Sequence, residues 1–199
     1  ARQIRPSLYD LQFEKPAPLV PRQLCFEIPE RLDAKGNVVT PLDENALAQI
    51  VDQIVKTGVD AIAICLLHSY RNPDHERKVG EAIKAKLPEV KISLSSEIVP
   101  EFREYLRAST TVINSAVAPI VSTYLASIIK KLHAANVRSE LLVMQSNGGV
   151  YPAESASESP VFMVESGPAA GAVAAASIGS ELGYPNVISF DMGGTTAKA

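Results

Sequence analysis

The sequence predicts an α/β protein. Three observations carry that prediction. Between residues 40 and 95, apolar residues at helical spacing alternate with short, continuous apolar runs. The run Ala61-Ile62-Ala63-Ile64-Cys65-Leu66-Leu67 is bounded and wholly apolar, which fits a strand buried on both faces of a largely parallel sheet. The composition, 46% hydrophobic and 21% charged, is that of an ordinary globular chain.

The totals narrow the function classes. The 199 residues suffice for one large core or two small ones. A net charge of −3 and a pI of about 5.7 argue against a nucleic-acid surface, which favours a basic domain. Cys25 and Cys65 lack metal-site spacing. Cys65, inside an apolar run, is expected to be a buried, reduced thiol, and a disulfide between the two stays open. Ala1 to Pro6 lacks the apolar core of a signal peptide. No apolar run approaches the ~20 residues of a spanning helix. The expectation is a cytoplasmic protein with no membrane and no nucleic-acid partner. The missing initiator Met and a functional-looking loop at the end suggest a piece excised from a longer protein.

The elements follow in order. Residues 1–23, with Pro6, Pro16, Pro18 and Pro21, read as an extended connector in which Ile4, Leu8, Tyr9, Leu11 and Phe13 could pack. Leu24 to Ile28 reads as a strand, with Ala34 to Asn37 a turn and Val38-Val39 a short return strand. Leu47, Ile50, Val51, Ile54 and Val55 define a helix that Pro41 and Asp43 start and Gly58 stops. After the apolar strand, Asn72 caps a second helix with Pro73 at its first position. Val90 to Ser95 is the next strand. Glu97 to Leu106 reads as a loop and short helix.

Ser109 or Thr110 then caps the longest helix. Its apolar stripe runs through Val112, Ile113, Ala116, Val117, Ile120, Val121, Tyr124, Leu125, Ile128, Ile129 and Leu132, and core packing is its expected role. Pro119 inside it is expected to kink the helix. Glu140 to Gln145 is a strand ending in Ser146-Asn147-Gly148-Gly149. Ser166-Gly167-Pro168 opens an Ala-rich helix reaching about Leu182. Val187 to Phe190 reads as a buried strand that stops at Asp191.

The chemistry concentrates in three polar loops. In Asp191-Met192-Gly193-Gly194-Thr195-Thr196, the glycines leave no side chain in the way, the threonines offer hydroxyls and N–H groups, and Asp191 can hold hydrated Mg²⁺. That combination points to a magnesium-bound phosphate more than to a plain hairpin turn. The Gln145-Ser146-Asn147-Gly148-Gly149 loop is balanced between a structural turn and a ligand contact. Ser166 and Gly167 open a helix whose N-terminal dipole could face the same rim. His68 and His75 read as structural histidines, and His133 lies near a helix C-terminus, where a cation is favourable. Glu97, Glu101, Arg103, Glu104 and Arg107 read as a solvated cluster paired along a helix, with Glu97 the one candidate site carboxylate.

Together these segments resemble the hydantoinase A/5-oxoprolinase family, whose relatives include the ATP-using subunit of acetone carboxylase. The resemblance rests on Leu67-His68-Ser69-Tyr70, Asn72-Pro73, His75-Glu76, Ser95-Ser96-Glu97, Arg103-Glu104-Tyr105 and Ser109-Thr110-Thr111-Val112. It continues through Gln145 to Gly149, Ser166 to Ala169 and Phe190 to Thr196, and the ending Thr196-Ala197-Lys198-Ala199 looks more like the hydantoin-utilisation branch. Other branches tend to carry an acid in this last segment.

The resemblance implies an actin/sugar-kinase/Hsp70-type ATPase fold, here truncated, with a mixed sheet and packed helices. Residues 1–108 would be the end of the family's N-terminal domain and residues 109–199 the incomplete start of its ATPase-like domain. It implies ATP and Mg²⁺ as cofactors of the full-length parent, a small cyclic amide as substrate, and a second, hydantoinase B-type subunit as a possible partner. The implied site has Asp191 and Glu97 as catalytic residues, with Asp191 also the metal ligand. Gly193, Gly194, Thr195, Thr196, Ser166 and Gly167 would face the nucleotide, and Gln145, Ser146, Asn147 and Gly148 the substrate. The alternatives are an ATP-using subunit of an acetone-type carboxylase and a non-catalytic interaction or structural domain.

Overall fold

The structure is a computed structural model and describes residues 9, 10, 12–14 and 16–199. The chain gathers into two units, divided between Ala116 and Val117. The expected packing of Ile4, Leu8 and Leu11 lies outside the described residues. Tyr9 is exposed and does not pack.

The first unit opens with a hairpin of β1 (Arg31–Leu32) and β2 (Val38–Thr40). The Asp33 carboxylate closes its turn by accepting from the N–H groups of Lys35 and Asn37 and from the Asn37 amide. Gly36 holds φ +89° there, a conformation that favours glycine. The strand expected at Leu24 to Ile28 is absent. Arg22–Leu24 is a 3₁₀ turn, and the following segment lays Phe26 and Ile28 against the core without pairing as a strand.

Helix α1 (Glu44–Val55) starts where Asp43 accepts from the N–H groups of Asn45 and Ala46. Strand β3 (Ala61–Ile64), helix α2 (Asp74–Lys86) and strand β4 (Lys91–Leu94) follow, with β3 and β4 parallel in the register Ala61↔Lys91 to Ile64↔Leu94. Asn72 Oδ1 accepts from Asp74 N at 3.0 Å, so it caps α2 as expected although the helix begins one residue past Pro73. Leu47, Val51 and Ile54 of α1, Val79 and Ile83 of α2, and Ile64 of β3 make the core. After a short turn of helix, α3 (Ser95–Ile98), comes α4 (Glu104–Ala134).

Helix α4 differs from expectation at its start. It begins at Glu104, so Ser109 and Thr110 lie inside it and do not cap it. The Ser109 and Thr111 hydroxyls donate back to the carbonyls of Tyr105 and Arg107, one turn earlier. Its buried face also differs. In the first unit the buried positions are Arg107, Thr111, Asn114 and Ser115, whereas Ile113 is exposed, as are Ile120 and Tyr124 further on. The buried polar residues replace apolar packing with hydrogen bonds to the strands: Asn114 donates to Ser93 Oγ and Ser115 to Ile62 O. Helix α4 is long and apolar enough to cross a membrane by length and composition, contrary to the sequence count. The hydrogen-bonded polar face is instead that of a helix packed on protein.

The second unit comprises the rest of α4, a hairpin of β5 (Leu142–Met144) and β6 (Val150–Pro152), helices α5 (Ala153–Glu158) and α6 (Ser166–Glu181), and a hairpin of β7 (Asp191–Met192) and β8 (Ala197–Lys198). Leu125, Tyr151, Ala153 and Ala156 form its core. Among the described residues every sheet is two-stranded and only β3–β4 is parallel, so the chain is mixed α/β rather than largely parallel. Val187 to Phe190 is not a buried strand. Val187, Ile188 and Phe190 are exposed, and pairing begins only at Asp191.

Candidate functional site

The Gln145 loop is the turn of the β5–β6 hairpin. Gln145 N donates to Gly149 O at 2.7 Å, Gly148 N to Gln145 O at 3.0 Å, and Gly149 N to Asn147 Oδ1 at 2.8 Å. Gly148 holds φ +85°, and a Cβ there would stand 2.9 Å from Val173 Cγ2 on α6. Glycine is therefore required on two grounds, conformation and close approach to the helix.

Ser146 fixes what lies beside this turn. Its N–H donates to Phe162 O at 2.7 Å, and its hydroxyl reaches Phe162 O at 2.8 Å and also Val164 O. A hydroxyl carries one proton, so it serves only one of the two carbonyls at a time. Ser146 thereby ties the turn to the segment that leads into α6. Glu165, the residue before α6, holds φ +65°, an uncommon conformation for a residue with a side chain, and does not cap the helix with its carboxylate. Glu165 instead pairs with Lys198 Nζ on β8. Lys198 is the register partner of Asp191.

The turn carrying the two glycines is a tight hairpin. Gly193 donates its N–H to Thr196 O at 2.9 Å, so that N–H is not free for an anion. Neither Gly193 nor Gly194 takes a positive φ. A Cβ at either would meet nothing within 4 Å. Ser166 and Gly167 open α6, and Gly167 also faces open space. The structure thus joins the Gln145 turn, the Glu165–Gly167 segment and the Asp191 hairpin within one unit. Glu97 belongs to the first unit. It is 57% exposed and lies 3.9 Å from Arg77 Nε.

The first unit holds a polar cluster that the sequence reading missed. Glu76 and Arg107 are fully buried. Glu76 accepts from Leu66 N, Ser95 Oγ and Ser96 N at 2.6–2.8 Å. Arg107 donates to Ser95 Oγ, Glu101 O and Leu66 O, and its guanidinium lies 5.5 Å from the Tyr70 ring centroid. Arg107 is therefore not part of a solvated cluster. The available signal was the spacing of Arg107, Thr111 and Asn114 along one helical face. His75 is buried and hydrogen-bonded to Glu30 at 2.7 Å, as a structural histidine should be. His68 holds φ +59°, and its Nδ1 is buried without a partner among the described residues. Burial pushes the Cys65 thiol above its usual range, and Cys25 and Cys65 are both free.

No three His, Cys, Asp or Glu side chains gather as a metal set among the described residues. A cleft of about 240 Å³, lined in part by His133, Arg138, Glu140 and Glu154, sits at the opposite end of β5 from the Gln145 turn and contains no predicted site residue.

The hydantoinase/oxoprolinase family model matches residues 107–199, and the model of the hydantoinase/oxoprolinase N-terminal region matches residues 1–87. The chain belongs to the hydantoinase/oxoprolinase family. Within it, the chain is 49% identical over 198 residues to an uncharacterized protein of Methanocaldococcus jannaschii, covering 100% of this chain and 29% of that one. It is 35% identical over 188 residues to the alpha subunit of caprolactamase from Pseudomonas jessenii, covering 94% and 27%. The solved structure of the nucleotide-free acetone carboxylase superimposes with a TM-score of 0.85 at 29% identity, covering 92% of this chain and 26% of that one. The chain thus spans less than a third of the length of these hydantoinase/oxoprolinase relatives.

Proposed function

We propose that this chain is part of an ATP-dependent cyclic-amide hydrolase that opens hydantoin or 5-oxoproline-type rings. The observation that carries the reading is the joining of three polar loops in one unit, through the Ser146 brace and the Glu165–Lys198 pair. Family membership and the likeness to caprolactamase support it. In this reading the fold is of the actin/sugar-kinase/Hsp70 type. Residues 1–108 close the N-terminal domain, and residues 109–199 begin the ATPase-like domain. A cytoplasmic setting goes with it, as does a second subunit of the hydantoinase B type, since the caprolactamase relative is itself an alpha subunit.

The residues fit a magnesium-bound phosphate in one mode. With no preformed set of three ligands, Asp191 alone suits Mg²⁺ that keeps most of its waters. Bound there, Mg²⁺ would supply charge neutralisation on the phosphates. The open space at Gly193 and Gly194 admits the phosphate. The Thr195 and Thr196 hydroxyls and the first N–H groups of α6, at Ser166 and Gly167, orient it. Ser146 is committed to its brace and Asn147 Oδ1 to Gly149 N, so the ring falls to the Gln145 amide, Asn147 Nδ2 and the backbone at Gly148.

The test is ring opening by the full-length protein on a panel of cyclic amides, with and without ATP. Product should form only with ATP. Ring opening without nucleotide would sink the reading. The TM-score of 0.85 to acetone carboxylase favours a second reading, an ATP-using carboxylase subunit. It requires bicarbonate-dependent turnover of a ketone in place of ring opening.

A further inference from the structure

We propose that Lys198 is a phosphate-contacting cation and that Glu165 is its resting partner, released when the phosphate binds. The inference rests on the assignment of the Asp191 hairpin to phosphate and goes beyond it, because neither residue belongs to the Asp191-to-Thr196 loop. Three observations carry it. Asp191 and Lys198 are direct register partners across β7 and β8, so their side chains stand on the same face of the hairpin. The Lys198 ammonium is the one charged group of that turn that reaches out of the hairpin to another element, and it meets the Glu165 carboxylate. Glu165 is held at φ +65° immediately before α6, so its side chain projects from the joint between the Ser146 brace and the helix start.

The energetics suit a pair that exchanges partners. Lys198 is 40% exposed and Glu165 63%, so the pair is solvated and worth less than about fivefold in an equilibrium constant. A terminal phosphate carries up to about two negative charges against one on a carboxylate, so it attracts an ammonium more strongly. The lysine stem is flexible, so the ammonium can swing from Glu165 to the phosphate without moving the backbone. Glu165 competes with the phosphate for Lys198, and once the ammonium has left, the repulsion between the bare carboxylate and the anion is screened by solvent.

The experiment measures ATP binding by the full-length protein, with Kd from calorimetry, for wild type and for Lys198→Met, Glu165→Gln and the double variant. Lys198→Met should weaken ATP about tenfold or more, the loss of one charge-assisted bond. Glu165→Gln removes the competitor and should tighten ATP by up to about fivefold. The double variant should match Lys198→Met alone, and Lys198→Arg should restore much of the affinity. A merely structural pair predicts weakening in both single variants. That result, or an unchanged Kd for Lys198→Met, overturns the inference while leaving the phosphate assignment intact. A wild-type protein that binds no ATP overturns both.

Discussion

Glu76 and Arg107 are joined through one atom, Ser95 Oγ. It donates to the Glu76 carboxylate at 2.6 Å and accepts from Arg107 Nε at 3.0 Å. Its only proton is thereby spent, so Ser69, 3.1 Å away, donates to it. The three polar groups close the carboxyl ends of β3 and β4 and pin the first turn of α4 to them. Both charges are buried, and every guanidinium nitrogen and both carboxylate oxygens are hydrogen-bonded, which is how a protein offsets the cost of taking ions out of water.

Removing either charge alone leaves the other uncompensated in the interior. Glu76→Gln and Arg107→Met should each cost about 3–5 kcal/mol of stability. The double variant should cost less than the sum. Urea unfolding midpoints of the three variants check this, and strictly additive losses would contradict the coupling.

Ser146 is a brace as much as a ligand contact. Ser146→Ala removes the hydroxyl shared between Phe162 O and Val164 O and should cost about 0.5–1.5 kcal/mol. In the full-length protein it should also lower turnover, because the segment before α6 loses its tie to the Gln145 turn. Ser146→Thr, which keeps the hydroxyl, should stay close to wild type. An unfolding transition and rate for Ser146→Ala equal to wild type would show that the brace is idle.

Cys65 carries a pH signature. Burial raises its thiol above the ordinary range, outweighing the opposing influence of nearby Ser95 and Arg107. The folded state therefore favours the protonated form. The associated stability is fully present below the thiol's unfolded pKa and is lost as pH rises through the folded value. At pH 8, Ellman's reagent should label exposed Cys25 rapidly and Cys65 only after denaturant is added. Rapid labelling of two thiols per native chain would contradict this.

The sequence made the first unit largely legible because its signals are local. Asp43 and Asn72 sit where caps belong, Gly58 where α1 stops, and the apolar faces of α1 and α2 repeat at helical spacing. The errors came where non-local contacts decide. Ser109 and Thr110 resemble caps, yet Arg107 is anchored to Leu66 and Ser95, which extends α4 back to Glu104. The apolar stripe of α4 suggested a core face, which holds in the second unit, where Val121, Leu125 and Ile129 pack, but in the first unit hydrogen bonds from Asn114 and Ser115 to the strands turn a polar face inward. Of the site, the three loops were legible from their glycines and hydroxyls. The contacts that join them were not. Ser146 to Val164 spans 18 residues and Lys198 to Glu165 spans 33, and no periodicity reports such pairs.

The most direct measurement is coupled turnover by the full-length protein, with wild type and Asp191→Ala compared for inorganic phosphate and ring-opened product. The expected result is one phosphate per ring opened in wild type, and a loss of about 10²–10³ in both rates for Asp191→Ala, the size of one lost electrostatic stabiliser. Unchanged turnover in Asp191→Ala would contradict the assignment of this hairpin to the phosphate.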